Sequence, residues 1–420
     1  MRPTFSYAIK YNVEIQCISP LRTGGSKDPQ QILRRADGTP FLQGASLAGA
    51  MRNWKNSDIL FGRNENEGQL SVSDLIFPAE MNKNANLQIT RPHLRIDGAT
   101  GTAADRAKFD VAHISANAKG RFTLLWRGLK GEEEKAASEI ETYLAALHSG
   151  EILLGAQKTN GFGRVELLVK KQTYDLYNRA DREAWLNNTG KGSLISLNKK
   201  SDTSKTEFIV RAYADSLLIK ASVGTGVGET GIDSVQLREN GRPVLPGSSI
   251  KGVIRSHITK IAPYCGVSNE TIDDIFGCSN SADDNAIAGK AIFSEAYLKS
   301  DEEQPFKNTR IRINRFSGGV IRKGLFSEKP ESGNCELKIS IPAKEVTGCM
   351  LLFYALRDLG MGLYSIGSGN NVGYGRLNVE NIKIKTPCGE AQLLFNEEKT
   401  VLEDPDSIIT GWRAALGGAE

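Results

Sequence analysis

Tyr7, Ile9, Tyr11, Val13 and Ile15 alternate with polar or small residues, the period-two signature of a strand with one buried face. The alternation returns at Phe122, Leu124 and Trp126, then at Leu337, Ile339 and Ile341, and less cleanly over Phe208 to Ala221. Elsewhere the spacing becomes helical. One stripe takes Leu47, Ala50, Met51 and Trp54, and another takes Ile250, Val253, Ile254 and Ile258. Ser46 and Ser249 stand where a side-chain oxygen caps these helices. A further helix is predicted over Glu132 to Ser149, closed by Gly150, with a counterpart from about Cys349 to Leu359. A short strand, a glycine-rich loop and a last strand end each half. The order βα…βαβ predicts ferredoxin-like α+β domains, each an antiparallel sheet with helices on one face.

The two halves are one module written twice. Gly38-Thr-Pro-Phe-Leu-Gln-Gly44-Ala-Ser46-Leu-Ala-Gly49-Ala-Met-Arg52 aligns without a gap on Gly241-Arg-Pro-Val-Leu-Pro-Gly247-Ser248-Ser249-Ile-Lys251-Gly252-Val-Ile-Arg255. Further anchors follow in order. Phe61-Gly62, Gly68 and Ser73-Asp74 meet Phe276-Gly277, Gly289 and Ser294-Glu295. Arg95-Ile96-Asp97 meets Arg312-Ile313-Asn314, and Gly161-Phe162-Gly163-Arg164 meets Gly373-Tyr374-Gly375-Arg376. These anchors place a first domain at 1–187, a linker rich in Asn, Gly, Ser, Thr and Lys at 188–206, and a second domain at 207–388. The acidic and apolar tail 389–420 has no counterpart in the first half, which suggests a structural terminal helix or an interaction tail.

Composition narrows the class. A net charge of +4 permits a nucleic-acid partner without demanding one, and 43 glycines in 420 residues mark many tight turns or close approaches. Six cysteines without a C-x-x-C pair, no apolar run of membrane-spanning length and no signal-peptide core predict a reduced, cytoplasmic protein that spans no membrane.

Candidate chemistry gathers on the repeated elements. A helix N-terminus behind Gly44 or Gly247 offers N–H groups and partial positive charge to a phosphate, and Arg52 or Arg255 adds a fork of donors. The plainer alternative is a capped turn with a solvated arginine. The loops Gly155-Ala-Gln-Lys158-Thr-Asn-Gly161-Phe162-Gly163-Arg164 and Gly367-Ser-Gly-Asn-Asn371-Val-Gly373-Tyr374-Gly375-Arg376 lack the G-K-[ST] ending of a P-loop. Their N–H groups, aromatic and arginine suit a nucleic-acid backbone; alternatively the aromatic plugs a tight connection.

Together the G-x-P-x-x-P-G-S-S-x-K-G-x-x-R, F-G…G…S-D and G-x-G-R elements resemble the repeat-associated mysterious proteins of CRISPR systems. More narrowly they resemble fused, double-domain backbone subunits of type III (III-D-like) effector complexes. The resemblance covers both halves and is fuller in the second, since the first has Gln43 for the proline and Ala48 for the lysine. It implies RNA-recognition-motif-like folds that stack along a guide (crRNA), grip its backbone and work beside other effector subunits in antiviral defence. It implies β-hairpin thumbs around Arg91 to His113 and Arg310 to Leu325, bringing Arg95, Arg312 and Arg315 to the RNA. It also implies a loop aspartate that cuts paired single-stranded target RNA with Mg²⁺ or Mn²⁺.

Asp233 precedes Gly241 by eight residues and Asp28 precedes Gly38 by ten, so both fit that loop, Asp28 less closely. A carboxylate can deprotonate the 2′-OH or, with a metal, stabilise the leaving oxygen, and Lys27 can offset phosphate charge. Both aspartates can equally be turn residues, as Asp37 is expected to be. His93, His113, His148 and His257 do not recur between the halves. His257, Cys265 and Cys278 lack an evident fourth zinc ligand. Three readings follow: a guide-binding subunit that cleaves target RNA, an inert RNA-binding scaffold, and a stand-alone guide-processing endoribonuclease working through histidine.

Overall fold

The computed structural model describes residues 5–24, 28–63, 66–83, 86–96, 103–190, 192–197, 204–221, 232–278, 286–299, 306–396 and 399–415. Six elements of the first repeat carry its fold: β1 (Tyr7–Cys17), α1 (Gly44–Trp54), β2 (Leu70–Val72), β3 (Lys119–Gly128), α2 (Glu133–Ser149) and β4 (Val165–Asp175). Their sheet order is β2-β3-β1-β4, antiparallel throughout, with Tyr11 opposite both Leu124 and Lys171. The alternation of β1 does what its period requires. Ile9, Tyr11, Val13 and Ile15 are buried and share one core with Leu47 and Met51 of α1 and Ile140, Leu144 and Leu147 of α2. Each such side chain contributes roughly 1.5–3 kcal/mol by leaving water.

The second repeat builds the same plan from β5 (Lys205–Leu217), α3 (Gly247–Ile261), β6 (Ile292–Phe293), β7 (Glu331–Pro342), α4 (Val346–Gly360) and β8 (Leu377–Thr386). Its order is β6-β7-β5-β8. The tail adds β9 (Gly389–Phe395) and β10 (Thr400–Glu403) beyond β8, then α5 (Ile408–Ala415). Ile408, Ile409 and Trp412 join the second core, so this tail is structural. Both repeats also carry a β-hairpin, Gln88–Ile96 with Ala103–Ile114 and Asn308–Ile313 with Val320–Lys329.

The chain divides into two compact units. The first holds Met1–Thr90, Asp110–Lys158 and Phe162–Asp202; the second holds Arg91–Phe109, Thr159–Gly161 and Thr203–Glu420.

Several local expectations change. Ser46 and Ser249 are not caps, because α1 and α3 start earlier, behind Gln43 and Pro246, with no side-chain cap. Trp54, expected inside, ends its helix 38% exposed, with its ring edge against Tyr143. No strand forms before the first glycine loop; Ile152 and Leu154 are buried there without one. The second repeat's opening strand alternates as cleanly as β1, starting at Lys205 and ending at Leu217. Within the linker, Ser193–Ile195 pairs with β4.

Candidate nucleic-acid interface

The glycine loops spend their backbone groups on the protein itself. Gly163 N donates to Pro20 O at 2.8 Å and its carbonyl accepts from Leu154 N at 2.9 Å. In the second repeat Gly375 N donates to Ser216 O at 2.7 Å and its carbonyl accepts from Ile366 N at 2.9 Å. Both glycines have positive φ, 88° and 78°, and a Cβ at either would collide with the carbonyl of Leu154 or Ile366. The aromatics between the glycines are plugs. Phe162 is buried against His113; Tyr374 is buried, accepts a hydrogen bond from Asn308 Nδ2 at 2.9 Å and lies under Arg310. Neither ring offers a face to a base. Arg164, Arg376, Asn371 and Gly373 are among the residues these loops expose. Lys158 is half-buried, and desolvation pulls its ammonium below the ordinary lysine range.

The helix N-termini are similarly occupied. Gly44 N donates to Asp74 Oδ1 at 2.9 Å, a bond that, with Arg35, holds the Asp74 carboxyl below its usual range. A Cβ at Gly44 would strike the backbone of Val72 and Ser73, and one at Gly247 the carbonyl of Phe293, the counterpart of Val72. These glycines let a neighbouring backbone pass. Ser46 and Arg52 are exposed, Arg52 donating to Asn56 Oδ1 at 3.0 Å; Ser248 and Ser249 are half-buried. Arg255 is held by Gly277 O at 2.8 Å and Asp273 Oδ1 at 2.7 Å. Lys251 Nζ donates to Thr159 Oγ1 at 2.9 Å, and desolvation, with the Arg255 charge, pushes its ammonium down to about 8. In the second unit, Gly161 packs against Phe293 and Ser294.

Arg95, Arg312 and Arg315 are exposed on the hairpins. Each candidate aspartate lies beside the return strand of its own repeat's hairpin. Asp233 is exposed and clamped there: its N donates to Ser327 O at 2.8 Å, and Ser327 N donates to Asp233 Oδ2 at 2.7 Å. Asp28 is exposed and accepts from Gln30 N at 2.8 Å and Gln31 Nε2 at 3.0 Å, while the next residue, Pro29, accepts from Ala112 N at 2.9 Å. Sequence reasoning missed Arg22, which is buried at this point and donates to Gln31 O and Ala112 O. It also missed Arg91, a buried guanidinium paired with Glu239 and Glu295 inside the second unit. Only the repeat position of Glu295, against Asp74, could have flagged that cluster. Asp37 accepts from Thr39 N at 2.9 Å, the turn role expected of it. Asp97, Lys27 and the glycine run 222–231 lie outside the described residues.

Among the described residues no group of three His, Cys, Asp or Glu side chains could hold an ion, His257, Cys265 and Cys278 included. His257 instead pairs with Asp358 at 2.8 Å. Burial pushes the Cys17 and Cys335 thiols up to about 12, far from a reactive thiolate. No described helix is long and apolar enough to cross a membrane.

Two copies of one fold, each with a hairpin and an aspartate at its base, define the class. The RAMP superfamily model matches residues 14–166 and again 189–378, once in each repeat. The chain belongs to the RAMP superfamily, which points to a CRISPR-associated, RNA-binding subunit. No curated protein matches it.

Proposed function

We propose that this chain is a guide-RNA-binding backbone subunit of a type III, III-D-like CRISPR ribonucleoprotein, built from two ferredoxin-like, RNA-recognition-motif-like domains in tandem. The strand orders β2-β3-β1-β4 and β6-β7-β5-β8, with a helix after the first and third strands of each fold, support that description. Exposed Arg52, Arg95, Arg164, Arg312, Arg315 and Arg376 supply phosphate contacts, which position an RNA without reading its bases. The hairpins act as thumbs that interrupt the guide–target duplex.

The second part of the proposal is cleavage of bound target RNA at Asp233, with Asp28 as the corresponding group of the first repeat. The observation that carries it is their shared placement beside the return strand of a hairpin. Ser327 N fixes Asp233 through Oδ2, which orients Oδ1 to accept the proton of a target 2′-OH. The 2′ oxygen then bonds to the adjacent phosphorus, the phosphorus–5′-oxygen bond breaks, and the leaving oxygen takes a proton from water. Among the described residues no group of three His, Cys, Asp or Glu side chains that could hold an ion gathers at either aspartate, so no step is routed through one. The second reading is an RNA-binding scaffold without catalysis. A guide-loaded complex with end-labelled target separates the two. Asp233→Ala should remove one cut and Asp28→Ala another, one repeat interval away; retention of both cuts in the double variant leaves only the scaffold.

A further inference from the structure

Asp233 heads a short segment that backbone of the second unit flanks on both sides. On one side Ser234 and Val235 pair in parallel with Glu328 and Lys329 of the hairpin's return strand. On the other lies the stretch 219–221. Lys220 stands opposite Gln236, Ala221 N donates to Val235 O at 3.2 Å, and Leu237 N donates to Ile219 O at 2.7 Å. The parallel pairing is two residues long, and parallel pairs are the less stable kind. Alone it is a weak hold on the strand whose Ser327 N fixes the Asp233 carboxylate.

A side-chain contact closes over it. Lys220 Nζ donates to Glu328 Oε1 at 3.2 Å, joining the stretch on one side of the Asp233 segment to the strand on the other. Glu328 Oε2 accepts from the Arg310 guanidinium, on the hairpin's outgoing strand. Arg310 in turn lies over the Tyr374 ring, 5.0 Å from its centre. The Glu328 side chain is 7% exposed, against 48% for Lys220 and 35% for Arg310. A carboxylate stays buried only where partners compensate its lost water, so Glu328 is the fixed point and the two cations are its ties.

The first repeat makes a similar tie with other chemistry. Arg22 precedes Gly24-Gly25 as Lys220 precedes Gly224. It donates to Gln31 O at 2.7 Å, in the turn of Asp28, and to Ala112 O on that repeat's return strand. In both repeats a cation ahead of the glycine-rich stretch reaches the strand beside the aspartate.

We infer that Glu328 is a positioning residue for Asp233: with Lys220 it straps the Asp233 segment to the hairpin, and cleavage in the second repeat depends on that strap. The inference rests on the reading of Asp233 as the cleaving group. Glu328 acts through the neighbouring Ser327 rather than on the RNA, so its loss slows the cut without weakening target binding.

Two measurements test it. In the RNA-free full chain, amide hydrogen exchange at Asp233 and Ser327 should be faster in Glu328→Gln than in the wild type. The melting temperature should change little, because Lys220 and Arg310 are exposed enough to turn to water. In a guide-loaded complex with saturating end-labelled target, the same variant should slow the Asp233-dependent cut by up to about 10²-fold, the cost of a slightly misplaced group. The Asp28-dependent cut and the affinity for target should stay as they are. Lys220→Gln should slow the same cut, and the double variant should be no slower than Glu328→Gln, whereas two independent lesions would multiply. Lys220→Gln alone carries the test if Glu328→Gln misfolds. Unchanged exchange, equal slowing of both cuts, or multiplied losses overturns the inference. A wild type that cuts at neither place overturns the cleavage reading instead, and the exchange rates then decide whether the strap exists.

Discussion

Asp233 and Asp28 occupy corresponding places but are held differently. Asp233 is tied to another strand through both its N–H and its carboxylate. Asp28 accepts from residues two and three places on, in a turn backed by buried Arg22. A carboxylate fixed from outside its own loop, as Asp233 is by Ser327 N, keeps its direction when the loop moves. Duplication thus preserved a position while the positioning diverged.

The largest expected effect tests that contrast directly. Loss of a positioned proton acceptor costs about 10²- to 10⁴-fold in rate. Asp233→Ala should fall in that range at its cut, measured in single-turnover cleavage. Asp28→Ala should cost less at the other, and equal losses break the comparison.

Arg91 comes next, because its counterpart is an uncharged Asn308. Arg91→Ala strands Glu239 and Glu295 in the interior and should destabilise the protein by about 3–5 kcal/mol in urea unfolding, whereas Asn308→Ala should cost far less. Tyr374→Phe removes the hydroxyl that Phe162 never had, leaving the ring plug in place. Its expected cost is about 0.5–1.5 kcal/mol, read from the denaturation midpoint of the second unit.

The smallest effect concerns Lys251 against Ala48. Folded, the Lys251 ammonium gives up its proton near 8 rather than at 10.5. Between those values the unfolded chain binds more protons, so this residue's contribution to stability rises with pH across that window. Lys251→Met removes the cost of the buried charge. The variant should melt above the wild type at pH 7, with the gap closing by pH 10; a gap independent of pH contradicts the desolvated ammonium.

The repeat and the alternating strands were legible because both are local: a period of two fixes which side of β1 is buried, and the G-x-S-x-x-G-x-x-R element fixes where α1 and α3 begin to within a turn. The reasons for the glycines were not legible. Gly44 and Gly247 read as room for a ligand, yet their space is taken by the backbones of Val72 and Phe293, which only the folded chain brings near. Nor could spacing show that Asp74 binds a helix N–H while Glu295, at the same repeat position, binds a buried arginine. Phe162 and Tyr374 became plugs rather than stacking platforms for the same tertiary reason.

The sheet margins have a consequence for life at high concentration. The first sheet ends in Phe41–Leu42 on one side and Ser193–Ile195 on the other, the second in Ile292–Phe293 and Thr400–Glu403. Strands of two to four residues present few unpaired backbone groups, too few to template an incoming strand. By adding β9 and β10 beyond β8, the tail replaces a ten-residue edge with a four-residue one. Truncation before Gly389 would bare β8 along its length and make the chain prone to cross-β aggregation.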